Sequence, residues 1–138
     1  DEYLMFRSKE DFYFSLNNSK LILESDDNII NHFEAHKAEY KNLKDLALKE
    51  LENTKSSNYK IPLLKEFEAD YRKLLISNVS FGDYLLHCNC LAFSIGGMLD
   101  NTVGYLYVKD KDDLPEMNPS RVIMLREIGD GWYLYKTT

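Results

Sequence analysis

Between Asn28 and Asn53, apolar residues recur every three or four positions. Ile29, Phe33, Tyr40, Leu43, Ala47 and Leu51 fall on one side of a helix. Asp26 and Asp27 stand just ahead, where a side-chain oxygen can cap the first turn and negative charge complements the helix dipole. Asp45 and Lys49, four apart, add a favourable pair on the solvated side. The polar run Thr54-Lys55-Ser56-Ser57-Asn58 ends the pattern, and a second helix is predicted after Pro62, a residue tolerated in a first turn. Its stripe is Leu63, Leu64, Phe67, Tyr71, Leu74 and Leu75, with Glu68 and Arg72 paired on its outer side. The short connection makes residues 28–77 a helical hairpin whose joint apolar face needs a cover.

From Phe81 the period changes. Tyr84 to Ile95 is a long strand-compatible run closed by Gly96-Gly97, and Val103 to Val108 is a second after the turn Leu99-Asp100-Asn101-Thr102. Arg121 to Ile128 and Trp132 to Lys136 read as a hairpin around Gly129-Asp130-Gly131, where glycine permits positive φ. Residues 81–138 are therefore expected to form an antiparallel sheet of about four strands packed on the helical hairpin. That is an α+β fold, resembling the cystatin-like arrangement. Residues 1–25 are ambiguous: Ser8-Lys9-Glu10-Asp11 suits a helix N-cap, Phe12-Tyr13-Phe14 suits a strand, and Asn17-Asn18-Ser19 suits a turn. The expectation there is a short helix or strand followed by an extended piece.

Composition narrows the class. The 138 residues suit one domain, residues 1–138, and 44% hydrophobic with 29% charged residues is ordinary for a globular chain. No apolar run approaches the ~20 residues of a membrane-spanning helix, so no membrane contact is expected of this stretch. The net charge of −6 argues against nucleic acid, whose phosphates demand clustered Lys and Arg. It suits a basic protein partner, and equally a protein kept in solution by its own charge. The first residue is Asp1, which predicts an upstream segment such as a signal peptide, a lipid or membrane anchor, or a trimmed tag. The expected compartment is the periplasm or a membrane anchorage, with the cytoplasm as the alternative. Cys88 and Cys90, side by side on one face of the expected strand, read as free thiols packed as small hydrophobes.

Candidate chemistry is sparse. His32 and His36 lie four apart as in zinc proteases, but the general-base glutamate of those enzymes directly follows the first histidine, and here the acid is Glu34. His36 is expected to border the apolar stripe and His32 to be solvated. His87 points away from Cys88 and Cys90 if all three are on a strand, so they cannot share a metal ion. Gly96-Gly97 lacks the spacing of a phosphate loop. Asn17-Asn18-Ser19 and Asn78-Val79-Ser80 fit the glycosylation triplet and carry no further weight. No catalytic residue, metal site or cofactor is expected.

Two features favour recognition. Asp110, Asp112, Asp113 and Glu116 gather acid in a loop lacking the glycine and terminal glutamate of a calcium hand, which suits an electrostatic contact with a basic partner. Tyr105 and Tyr107 share one face of their strand, as do Tyr133 and Tyr135. If the two faces coincide, four tyrosines make a recognition platform; otherwise they stabilise the sheet or pack beneath the helices. The ending Val103-Gly104-Tyr105-Leu106-Tyr107 with Gly131-Trp132-Tyr133-Leu134-Tyr135-Lys136 resembles small uncharacterised bacterial proteins, often exported or membrane-anchored. Some of these are immunity proteins that neutralise an antibacterial toxin. The resemblance thus implies a protein-binding module with a toxin as partner. The alternative is a small-ligand cavity between helices and sheet, as in nuclear-transport-factor-like folds.

Overall fold

In a computed structural model of the chain, the described residues are 6–54, 63–82, 86, 88–97 and 101–138. The fold is α+β, and the described residues form four helices and a five-stranded antiparallel sheet, one strand more than expected.

The ambiguous N-terminal stretch is helix α1, Lys9–Ile22. Ser8 is extended and its hydroxyl accepts from the Asp11 N–H, so the capping signal is correct. The strand preference of Phe12-Tyr13-Phe14 is overridden because the helix lays Asn18 and Leu21 against the rest of the fold. No extended piece follows; a short turn leads into α2, Asp26–Ala35. Ser25, rather than either aspartate, supplies the α2 cap by accepting from the Asn28 N–H, and Asp26 and Asp27 occupy the first turn.

The single helix expected over 28–53 is broken at His36, whose N–H reaches back to the Phe33 carbonyl before α3, Lys37–Thr54, begins. The second expected helix shrinks to α4, Glu68–Lys73, preceded by a 3₁₀ turn at Lys65–Phe67. Pro62 lies outside the described residues. Leu63 and Leu64 are buried outside any helix: the Leu63 N–H donates to the Val79 carbonyl and the Leu64 N–H to the Glu50 carboxylate. Leu64 and Leu75 bracket this segment with φ of 61° and 65°, a conformation that costs a leucine about 1 kcal/mol or more and stops a helix at each end.

The strands are β1 (Asn78–Phe81), β2 (Leu91–Gly96), β3 (Val103–Tyr107), β4 (Val122–Gly129) and β5 (Trp132–Thr137), in the order β1-β2-β3-β5-β4. The long strand expected from Tyr84 starts only at Leu91, and residues 83–85 lie outside the described residues. The turn between β4 and β5 is as expected: Gly131 holds φ of +87°, and a Cβ there would meet the Val108 carbonyl oxygen at 2.5 Å.

Both sheet faces are covered. On one, Val79, Phe93, Tyr105, Trp132 and Leu134 meet Ile29, Phe33, Tyr40, Leu43 and Ala47 from α2 and α3. Aromatic rings fill the middle of this interface. Phe33 lies 4.9 Å from both Tyr40 and Trp132, Tyr105 lies 5.2 Å from Phe33, and Phe93 lies 5.2 Å from Trp132. Such ring pairs add about 0.5–1.5 kcal/mol each beyond the area they bury. On the opposite face Ala92, Leu106, Tyr133 and Tyr135 pack with Leu86, Cys88, Cys90, Val108 and Val122, while Leu114 and Leu125 lie half-buried against them.

Polar contacts fix how helices and sheet meet. Lys136 pairs with Asp26, and Arg126 lies 2.8 Å from Asp27, both at the start of α2. Lys37 lies 3.3 Å from Asp130 in the β4–β5 turn. The Tyr105 hydroxyl donates to the Ile29 carbonyl at 2.7 Å, and burial pushes its ionisation far upward, as it does for Tyr40.

Candidate functional site

Strand register decides the fate of the four tyrosines. Tyr105 is opposite Leu134 and Tyr107 is opposite Trp132, whereas Tyr133 is opposite Leu106 and Tyr135 is opposite Gly104. Residues opposite one another in an antiparallel pair share a face. Tyr105 and Tyr107 therefore face the helices, and Tyr133 and Tyr135 face the other side. Tyr105, Tyr133 and Tyr135 are buried and Tyr107 is half-buried beneath the Lys44 ammonium, 4.9 Å from its ring. The expected platform is thus corrected: the sheet splits the tyrosines into two pairs and uses them as packing.

The acidic loop, by contrast, is offered to solvent. Asp110 accepts from the Asp112 N–H at 3.0 Å and opens a 3₁₀ turn over Lys111–Asp113. Half-buried Leu114 and buried Pro115 anchor the turn on the second core face, leaving Asp110, Asp112 and Glu116 exposed and Asp113 half-buried. Between positions 110 and 116 four carboxylates face one cation, Lys111, which reaches Glu127 of β4 at 3.8 Å. The chain then reverses. Asn118 Oδ1 accepts from the Ser120 N–H, and the Asn118 N–H donates to the Val122 carbonyl. Met117 and Ile123 flank the Asn118–Val122 backbone bond in sequence, and both are exposed apolar residues, at 53% and 46%. Among the described residues β4 is an edge of the sheet, paired with β5 alone. An acidic rim, two exposed apolar side chains and a strand edge thus adjoin. Sequence reading found the acid and missed the apolar pair, since nothing local distinguishes Ile123 from the buried Val122 beside it.

The two histidines meet at the α2–α3 break. Their rings lie 4.9 Å apart, and His36 Nδ1 is 3.2 Å from the Glu39 carboxylate. The solvated position expected for His32 is corrected: it is half-buried, with Nε2 lying 2.9 Å from the Leu74 carbonyl and serving as donor. Burial chiefly pushes its pKa down, and His36 adds to that, while the Leu74 carbonyl and Glu39 pull the other way. Among the described residues no three His, Cys, Asp or Glu side chains converge as metal ligands. Beyond Glu39 a groove of about 450 Å³ runs between α3 and α4, lined by Leu43, Leu46, Phe67 and Leu74 with Asp70 and Lys73 at its edge.

Cys88 and Cys90 are not on a strand. The chain bends there, their Cα atoms lie 5.3 Å apart, and the structure joins them as a disulfide, which corrects the free-thiol expectation. His87 lies outside the described residues, so its expected direction relative to the cysteines has no counterpart. No helix among the described residues is long and apolar enough to cross a membrane. Comparison with protein-family models, with curated proteins and with solved structures matched nothing.

Proposed function

We propose that the chain is a non-catalytic protein-binding domain, and within that class an immunity protein that neutralises a cognate bacterial toxin. The observation that carries the reading is the exposed acidic loop, held in shape by its own hydrogen bonds beside Met117, Ile123 and the β4 edge. Charge at such a rim steers a basic partner, and a small apolar centre with an open strand edge gives that partner somewhere to dock. The side chains closest to a catalytic arrangement are engaged in the fold, His32 with the Leu74 carbonyl and His36 with Glu39. The resemblance of the C-terminal strands to small exported bacterial proteins supplies the choice of toxin as partner. Co-expression with the product of the neighbouring gene tests this. Cells survive with the wild-type chain and die with Asp110, Asp112, Asp113 and Glu116 all changed to Lys. Survival with both chains removes the loop from the account, and death with both removes the toxin.

A second reading, small-ligand binding, is supported by the groove between α3 and α4, whose volume falls within the range of about 300–1,000 Å³ usual for ligand sites. Leu46→Trp fills that groove, so it abolishes small-molecule binding under this reading and leaves toxin neutralisation intact under the first.

A further inference from the structure

Helix α1 carries two apolar faces where a surface helix ordinarily carries one. At about 100° per residue, Phe14, Asn18, Leu21 and Ile22 point to one side, and Asn18 and Leu21 are buried there. Lys9, Tyr13, Leu16, Lys20 and Leu23 fall within about 80° of arc on the opposite side. Tyr13, Leu16 and Leu23 on that side are 43%, 39% and 72% exposed. They account for three of the five large hydrophobic side chains exposed among the described residues, the others being Met117 and Ile123 in the acidic-loop region. Singly exposed apolar residues need no explanation, but a stripe along one helix signals a contact surface.

The order of charges along the stripe points to its occupant. Lys9 begins it, Lys20 lies in the last turn, and exposed Glu24 follows its end. An antiparallel second copy of the stripe, with the two-fold axis at Leu16, sets Leu16 against Leu16. The same axis places Lys20 beside the partner's Tyr13 ring and Lys9 beside the partner's Leu23 and Glu24. Lys9 lies 5.9 Å from the Tyr13 ring within one chain, and pairing with the partner's Glu24 draws it off that ring, leaving the face to the partner's Lys20. An anionic lipid surface offers the stripe no counterpart for Glu24 and meets a chain of net charge −6.

We propose that the outer face of α1 is a self-association surface through which two copies of this chain pair antiparallel. The interface is independent of the acidic loop, so a dimer keeps both partner-binding surfaces available. A single helix stripe is smaller than the ~800 Å² per partner of a standard interface, so the dimer is a weak one.

Sedimentation equilibrium of the full chain tests the pairing over about 5–500 μM, the range in which such a dimer forms. The wild type moves from monomer to dimer, and Leu16→Glu, on a residue already exposed, stays monomeric with an unchanged circular dichroism spectrum. Lys9→Glu weakens the dimer about tenfold, and Lys9→Glu with Glu24→Lys restores it, because the exchanged charges still meet across the axis. A wild type that remains monomeric, or a dimer indifferent to Leu16→Glu, overturns the proposal. So does failure of the double exchange to restore pairing. Co-sedimentation with vesicles of mixed phosphatidylcholine and phosphatidylglycerol is the remaining arm. Leu16-dependent binding to them by a monomeric chain assigns the stripe to a lipid surface and equally overturns the dimer.

Discussion

Asn18 offers the sharpest test of how the helical layer is fastened to the sheet. Its side-chain amide donates one N–H to the Leu75 carbonyl and the other to the Ile95 carbonyl, both at 2.7 Å. Neither acceptor has an easy substitute. β2 and β3 slip register between Ser94 and Gly96, so Ile95 is the extra residue of a bulge and Asn18 stands in for a ladder partner. Leu75 lies at positive φ where the chain leaves α4. Replacing Asn18 with Leu fills similar volume and strands both carbonyls. A buried acceptor left unmade costs about 1–3 kcal/mol. The Ile95 bond is buried and carries the full penalty, whereas the Leu75 bond is partly buried and water recovers some of its loss. The expected destabilisation is about 2–4 kcal/mol. With a urea dependence of about 1.5 kcal/mol per molar, the unfolding midpoint falls by about 1.3–2.7 M. Asn17→Ala, one residue along on the exposed side, is the control and shifts the midpoint by about 0.3 M or less. Unfolding of Asn18→Leu at the wild-type midpoint would refute the assignment of Asn18 as the tie between α1, the α4 exit and the β2 bulge.

Three further outcomes follow from the same packing. Gly104→Ala destabilises by about 2 kcal/mol or more in thermal unfolding, because its Cβ would meet the Phe93 carbonyl oxygen at 2.4 Å, in backbone that cannot swing aside. A Tm within a degree of wild type contradicts that close approach. Burial holds the folded pKa of His32 below the ordinary histidine value of about 6.5, so the unfolded chain binds more protons as pH falls. Its contribution is complete above about 6.5 and declines as pH drops from there toward the lower folded value. Thermal unfolding from pH 7.5 to 5.5 reads this decline, and His32→Gln, which keeps a donor and cannot charge, flattens the curve. An equal slope in both chains would assign the pH response elsewhere. Arg126→Ala, which removes the exposed pair with Asp27, lowers stability by about 0.5 kcal/mol or less in urea titrations. A loss above 2 kcal/mol would mean this pair is far more shielded from solvent than its exposure indicates.

The α+β class was legible because burial follows the spacing of apolar residues. Ile29, Phe33, Tyr40, Leu43 and Ala47 all reach the core, as their period predicts. The break at His36 left no mark in that period, since Phe33 and Tyr40, seven apart, keep the same phase on either side of it. Leu63 and Leu64 misled for the opposite reason: two buried leucines ahead of the helix, the second at positive φ, look like the start of a helical stripe. Alternation places Tyr105 with Tyr107 and Tyr133 with Tyr135, but only the pairing of β3 with β5 says whether the two faces agree. Asn18 was invisible as an anchor because its acceptors lie 57 and 77 residues away, and locally Asn17-Asn18-Ser19 reads as a turn. The acidic loop was legible because its polarity is local and tertiary contacts leave it in solvent.

The central claim is that the loop of Asp110, Asp112, Asp113 and Glu116, with the β4 edge beside it, receives a basic toxin. Calorimetric titration of the purified product of the gene neighbouring this one, into the wild-type chain and into the chain with those four residues changed to Lys, tests it most directly. The account predicts tight binding by the wild type that weakens with salt, and a loss of about 100-fold or more in the reversed chain, which stays folded apart from the loss of the Asp110 cap. Equal affinity of the two chains for the toxin would contradict it.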